Sequence, residues 1–314
     1  MDMSSELQNS QQQQNSVEID LRQLLAVLGQ KKLHIIGISL LFGVLAAAYS
    51  LTLPNIYRSE ALLAPAGENA SQLPGQLGGL AALAGVNLRR GGGADKTTLA
   101  LEVIKSREFI TGFVERHNFL PQLMAAEKWQ PLTDTIIYDE DSYHEQTGKW
   151  VRDVKPPQSP IPSMQMAHRK FMSQLYVSQE KMTGMVTIAF DHVSASFARD
   201  VITKLIEDLN NEMRRRDLDE AERSIAYLKE QINQTSLADA RSMLFTMVEE
   251  QTKTAMIANI RHEYILKTID PAIVPERKFK PARAMMILIF AFIGMLTSIT
   301  VILINFFRRI NLDK

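Results

Sequence analysis

The residues best equipped for chemistry are the glycines, lysine and threonines of GGGADKTT, the run Arg214, Arg215, Arg216, the histidines, and the acidic cluster Asp139, Glu140, Asp141. Glycine backbones can cradle a phosphate beside a lysine and a threonine. Here Asp95 stands where a glycine must precede Lys96, and no strand leads directly into the segment, so nucleotide binding is not expected. His117, His144, His168, His192 and His262 show no HExxH or comparable ligand spacing, which predicts surface or hydrogen-bonded histidines and no metal site. No GxSxG elbow occurs, and the acidic cluster has no acid/base counterpart. The absence of cysteine excludes disulfides and thiolate chemistry. Neither enzymatic activity nor a cofactor is expected.

The three arginines carry the sharpest charge signal. Arg215 with Asp219 and Arg216 with Glu220 are four residues apart, which predicts solvated helical ion pairs worth about a few tenths of a kcal/mol each. A second reading places Arg214, Arg215 and Arg216 at a subunit boundary or against an anionic glycan. Over the whole chain, 35 Lys and Arg balance 35 Asp and Glu, so no basic field argues for a nucleic-acid partner.

The elements that position these residues begin with two apolar stretches. Leu33 to Leu53 and Ala284 to Phe307 contain no Asp, Glu, Lys or Arg. Each reaches the length of about 20 residues that a helix needs to cross a hydrocarbon core with every backbone group satisfied. The first is read as a retained span, because a long polar segment precedes it and no small-residue cleavage site follows. Arg22, Lys31 and Lys32 precede it while only Arg58 follows closely, which puts the amino terminus in the cytoplasm. The second span returns the chain there, in agreement with Arg308, Arg309 and Lys314. Arg277, Lys278, Lys280 and Arg283 on its outer flank point the other way, but a loop this long translocates largely regardless of charge. These four are candidate contacts for anionic lipid headgroups or a phosphorylated lipid carrier. Ser39, Gly43 and Ala47, and Gly294 with Ser298, recur every fourth residue and are candidate helix-packing positions within the spans.

Before the first span, SELQNSQQQQNS is a polar low-complexity tail and VEIDLRQLLAVLGQ suits a short amphipathic helix. Between the spans, a strand is expected at Tyr57 to Leu63, then a Gly- and Ala-rich loop with a short helix at LAALAG. Helical patterning resumes from Lys96 to His117, then the chain is irregular around Pro121 to Pro162. After a helix near Ser163 to Ser173, LYVSQ and MVTIAF flank the turn EKMTG as a hairpin, with Val186, Ile188 and Phe190 on one face. Ser194 is the N-cap of a helix running to about Gln234, and a second helix starts at Leu237 with Ala240, Leu244, Met247, Gln251, Thr254 and Ala258 along its stripe. The two form an antiparallel hairpin whose apolar surface, with Phe245 and Val248, exceeds what one partner helix covers, so neighbouring subunits are expected. EYILKTIDPAIVP returns as a strand to the sheet.

GGGADKTTLALEVIKSREFI, NNEMRRRDLDEAERSIAYLKEQI and IDPAIVPERKFKPAR, the last marked by Pro271, Pro275 and Pro281, resemble a Wzz-type chain-length determinant, a polysaccharide co-polymerase of the bacterial inner membrane. The resemblance covers nearly the whole chain. It implies an α+β membrane protein with two transmembrane helices flanking a periplasmic α/β base and a long protruding helical hairpin. The expected division is a cytoplasmic tail at 1–32, a span at 33–53, a periplasmic domain at 54–283 with its hairpin at about 194–262, a span at 284–307 and a cytoplasmic tail at 308–314. It further implies a ring-shaped homo-oligomer and a role in setting O-antigen, capsule or exopolysaccharide length. The implied partners are the inner-membrane polymerase, membrane lipids and the growing polysaccharide on its lipid pyrophosphate carrier. Some relatives continue into a cytoplasmic tyrosine autokinase. Here Arg308 to Lys314 follow the span, so kinase activity is not expected. A periplasmic sensor or an export adaptor is the alternative.

Overall fold

Unbroken apolar sequence forms helix wherever backbone polar groups have no water to turn to, and the chain does so twice. The computed structural model describes residues 28–66 and 93–312. The polar tail, most of the amphipathic segment, the LAALAG stretch and the first glycines of GGGADKTT lie outside the described residues. The chain divides into two compact units, one of the segments up to Leu53 and from Lys280 onward, the other Pro54–Phe279.

In the first unit, helix α1 (Lys32–Thr52) packs along the last helix, named below. Both are long and apolar enough to cross a membrane, with mean hydropathy of 2.0 and 2.7. Their outward side chains, Leu40 and Leu288 among them, are largely exposed, as lipid-facing residues are.

The second unit is built on strand β1 (Tyr57–Pro65). Helices α2 (Gly93–Val103), α3 (Arg107–Arg116) and α4 (Leu120–Ala125) follow, then two small hairpins, β2 (Ala126–Gln130) with β3 (Thr135–Tyr138) and β4 (Tyr143–His144) with β5 (Lys149–Trp150). Helix α5 (Met164–Gln174) leads into β6 (Leu175–Gln179) and β7 (Val186–His192). Then come α6 (Ala195–Gln234), α7 (Ala238–Ile260), β8 (Leu266–Asp270) and, in the first unit, α8 (Arg283–Leu312). The main sheet has the order β6-β7-β1-β8. Every pairing is antiparallel, with Tyr57 opposite His192 at one end of β1 and Leu63 opposite Val186 near the other.

The core forms where one face of this sheet meets helices. Leu63, Val186, Ile188 and Phe190 from the strands pack with Val201, Ile202, Leu205 and Leu209 of α6, Ile110 and Phe113 of α3, and Phe171 of α5. Phe113 makes edge contacts with Phe119 and Phe171 at 5.6 and 5.7 Å, a geometry that matches ring edges to ring faces. Ser194 caps α6 through its hydroxyl, which accepts from the Phe197 N–H at 3.2 Å.

One expectation is refined and another corrected. The stretch from Lys96 to His117 is two helices, because Ser106 takes an extended conformation and caps α3 by accepting from the Phe109 N–H. The break lets Ile104 and Ile110 both reach the core, where each is fully buried. The region 121–162 is likewise not irregular throughout. It holds α4 and two hairpins too short to display an alternating pattern, with Trp129 and Ile136 paired across β2 and β3.

Candidate functional site

The helical hairpin presents the first candidate surface. The first half of α6 is buried in the core, and further along Ala221, Leu228 and Ile232 are buried. On α7 only Ala258 is fully buried, and the half-buried positions Ala240, Leu244, Val248, Gln251 and Ala255 mark its covered stripe. Of the expected stripe, Ala240, Leu244, Gln251, Thr254 and Ala258 are covered, whereas Met247 turns outward with Val248 inward in its place, and Leu237 stands before the helix, 70% exposed. By the 3.6-residue turn, Met243 and Met247 lie on one flank of that stripe, Phe245 and Met256 on the other, and Ile260 on the face opposite it. All five are exposed.

The three arginines lie on α6 below this surface. Arg214 Nη2 donates to Asn211 Oδ1 at 2.5 Å. Arg215 bridges Glu212 at 2.9 Å and Asp219 at 3.1 Å. Arg216 does not pair with Glu220 as expected, but donates from Nε to Glu212 Oε1 at 2.7 Å. The physical reason is directional, since helix side chains lean toward the N-terminus and a glutamate four residues before its cation is the favoured order. Burial alone would raise the Glu212 carboxyl, but hydrogen bonds from Arg216 and Arg215 outweigh it and hold the group below its usual range.

Sequence reasoning missed the polar groups that fix the root of the hairpin. Asn210, 4% exposed, accepts from the Ile265 and Leu266 N–H groups at 2.8 and 3.0 Å and donates to the Leu266 carbonyl at 3.0 Å. A polar residue inside the apolar stripe between Leu209 and Met213 was its one visible signal. Asp217 accepts from Lys96 Nζ at 2.6 Å and Tyr264 Oη at 2.5 Å. Burial and then this bond push the Tyr264 phenol well above its ordinary range. Lys96, the lysine of GGGADKTT, is thus engaged with a carboxylate. Partners this distant in sequence leave no local pattern.

The proline-marked segment starts at Pro271. Ser59 Oγ donates to the Ile273 carbonyl at 2.7 Å, and the Phe279 N–H to the Ile56 carbonyl at 2.7 Å. Arg58 lies between the Tyr176 and Phe279 rings, 4.3 and 3.8 Å from their centroids, while a two-point bond to Asp191 raises its pKa. Pro275 is half-buried, and Arg277 and Lys278 are exposed. Lys280, exposed, Pro281 and the half-buried Arg283 belong to the first unit.

Within the two long helices, Ser39 Oγ donates to the Ala291 carbonyl at 2.7 Å. A Cβ added to Gly43 would meet Ala291 Cβ at 3.7 Å, whereas one added to Gly294 would stand 2.9 Å from Phe42 Cβ and 3.2 Å from the Ile38 carbonyl oxygen. Gly294 is where the helices approach most tightly among the described glycines. Ala47 lines a shallow apolar groove with Gly43 and Ile287, and Ser298 is buried.

His117 meets Asp208 at 3.2 Å, and His168 and His192 bond to backbone carbonyls. Among the described residues no group of three or more His, Asp or Glu side chains is arranged to hold a metal.

Residues 17–116 match the Wzz family, described as chain length determinant protein. Among curated proteins none matches the chain. A full-length bacterial polysaccharide co-polymerase matches with 13% identity and a TM-score of 0.37, over 92% of this chain and 98% of that one. A fragment of WzzB, a polysaccharide co-polymerase from Salmonella Typhimurium, matches with 13% identity and a TM-score of 0.29, over 72% of this chain and all of the fragment.

Proposed function

We propose that this chain, of the Wzz chain length determinant family by its residues 17–116, sets the length distribution of a surface polysaccharide as a non-enzymatic, membrane-anchored homo-oligomer. The family match is the observation that carries the reading. In this proposal α1 and α8 cross the bacterial inner membrane, both termini are cytoplasmic, and residues 54–283 occupy the periplasm. The flanking charges of the first span support that orientation.

Assembly is supported by the hairpin. Two exposed apolar flanks on one helix suit two neighbours, one on each side, and head-to-tail contacts of that kind close into a ring when the rotation permits. Arg214, Arg215 and Arg216 sit at the base of this surface, where they bridge subunits or meet an anionic glycan. Pro271, Pro275 and Pro281 hold the approach to the second span extended. Arg277, Lys278, Lys280 and Arg283 face lipid headgroups or the pyrophosphate of the carrier, and the polymerase that extends the chain is the working partner.

Deleting the gene in its host and resolving surface polysaccharide on a gel tests the proposal. The modal band cluster is expected to disperse and to return with the wild-type gene. An unchanged ladder overturns it.

A further inference from the structure

One end of the second unit collects residues that suit a lipid surface. Tyr57 opens β1 only four residues beyond Leu53, the C-cap of α1, so backbone reach holds it within about 14 Å of Leu53. Phe279 stands four residues before Arg283 and bonds through its N–H to Ile56. Trp129 of β2 sets its ring against Tyr57 with centroids 5.2 Å apart. The turn beyond it is fixed at the same end, because Asp134 accepts from Trp129 Nε1 at 2.8 Å and from the Ser196 hydroxyl, at the start of α6. At the tip of this turn Leu132 is 95% exposed. Exposed Arg277 and Lys278 precede Phe279.

We infer that the β2–β3 turn docks on the bilayer to which the chain is tethered. Leu132 enters the boundary between headgroups and acyl chains, and Trp129 and Tyr57 lie at headgroup level. The physical warrant is threefold. Tryptophan and tyrosine have an apolar body and a polar edge and settle at membrane interfaces. A bare leucine at a loop tip gains by leaving water, while nearby cations favour anionic headgroups. The tethers keep this end within reach of lipid whichever side of the membrane the unit occupies.

The fold supplies its own control. Met182, at the tip of the β6–β7 turn, is 94% exposed, but that turn lies beside Pro65, about 26 Å along β1 from Tyr57. Because the chain has no native cysteine, Leu132→Cys and Met182→Cys each give one labelling site in the full-length protein. With a polarity-sensitive fluorophore in vesicles of phosphatidylethanolamine and phosphatidylglycerol, nitroxide-bearing lipid should quench the label at 132 about threefold or more over that at 182. A label-free arm uses Trp150→Phe, which leaves Trp129 as the sole tryptophan, and brominated lipid should quench its emission. Equal weak quenching at 132 and 182, or an unquenched Trp129, overturns the inference. So does energy transfer showing position 132 seated on another copy of the chain.

Discussion

His192 shows how one buried side chain sets the acid sensitivity of the second unit. Its Nε2–H donates to the Gln122 carbonyl at 3.0 Å and its Nδ1 accepts the Ser194 N–H at 3.1 Å, an arrangement that needs the neutral ring. Burial pushes its pKa down to about 4. Between about pH 6.5 and about pH 4 the unfolded chain binds a proton that the folded chain refuses, so stability is complete above 6.5 and falls by about 3 kcal/mol as pH drops to 4. Melting temperatures of the detergent-solubilised protein across that range should fall less steeply for His192→Gln, whose amide can keep both bonds. Parallel slopes would refute the assignment. At this scale the sequence was legible only for local bonds. Ser194 was recognised as a cap, whereas Asn210 and Arg58 act on residues far along the chain.

Helix α7 is poorly covered within one copy of the chain, with Ala258 its one fully buried residue. Phe245 and Met247 point to opposite flanks, so Phe245→Asp and Met247→Asp should each leave the fold intact and each reduce the mass of the solubilised oligomer. Multi-angle light scattering reads the mass and circular dichroism the fold, and a mass unchanged by both substitutions would contradict two-sided assembly. The hairpin itself was plain in the periodicity, because some 60 residues of three-four spacing leave little alternative. Along α7 the stripe was legible except at Met247, where Val248 turns inward instead, because the apolar residues nearly encircle the helix and only α6 decides which of them turn inward. The β2–β3 hairpin escaped notice for the opposite reason. Its strands are short and polar outside, and the contact that fixes them, Trp129 on Tyr57, joins residues far apart in sequence.

For the molecule as a whole, the pairing of its two long apolar helices depends on the space left at Gly294. Gly294→Val would force its new carbons into Phe42 and the Ile38 carbonyl, separating the helices at a cost of about 1–3 kcal/mol, typical of overpacking. Cross-linking of a Ser39→Cys, Ala291→Cys pair should be efficient in the parent and poor with Gly294→Val added. Equal yields would show that the close approach is not needed. The bonds of Asn210 have a mechanical corollary for the second unit. With the Asp217 bonds to Lys96 and Tyr264 they make a fulcrum at the root of the hairpin, and the 17 residues from Asp217 to Gln234 form a lever arm of about 26 Å. A tilt of about 5° at that pivot carries the tip about 2 Å, and the load falls on β8, the strand that feeds the proline segment. Whatever leans on the far end of the hairpin is therefore felt, geared down but with greater force, at Leu266.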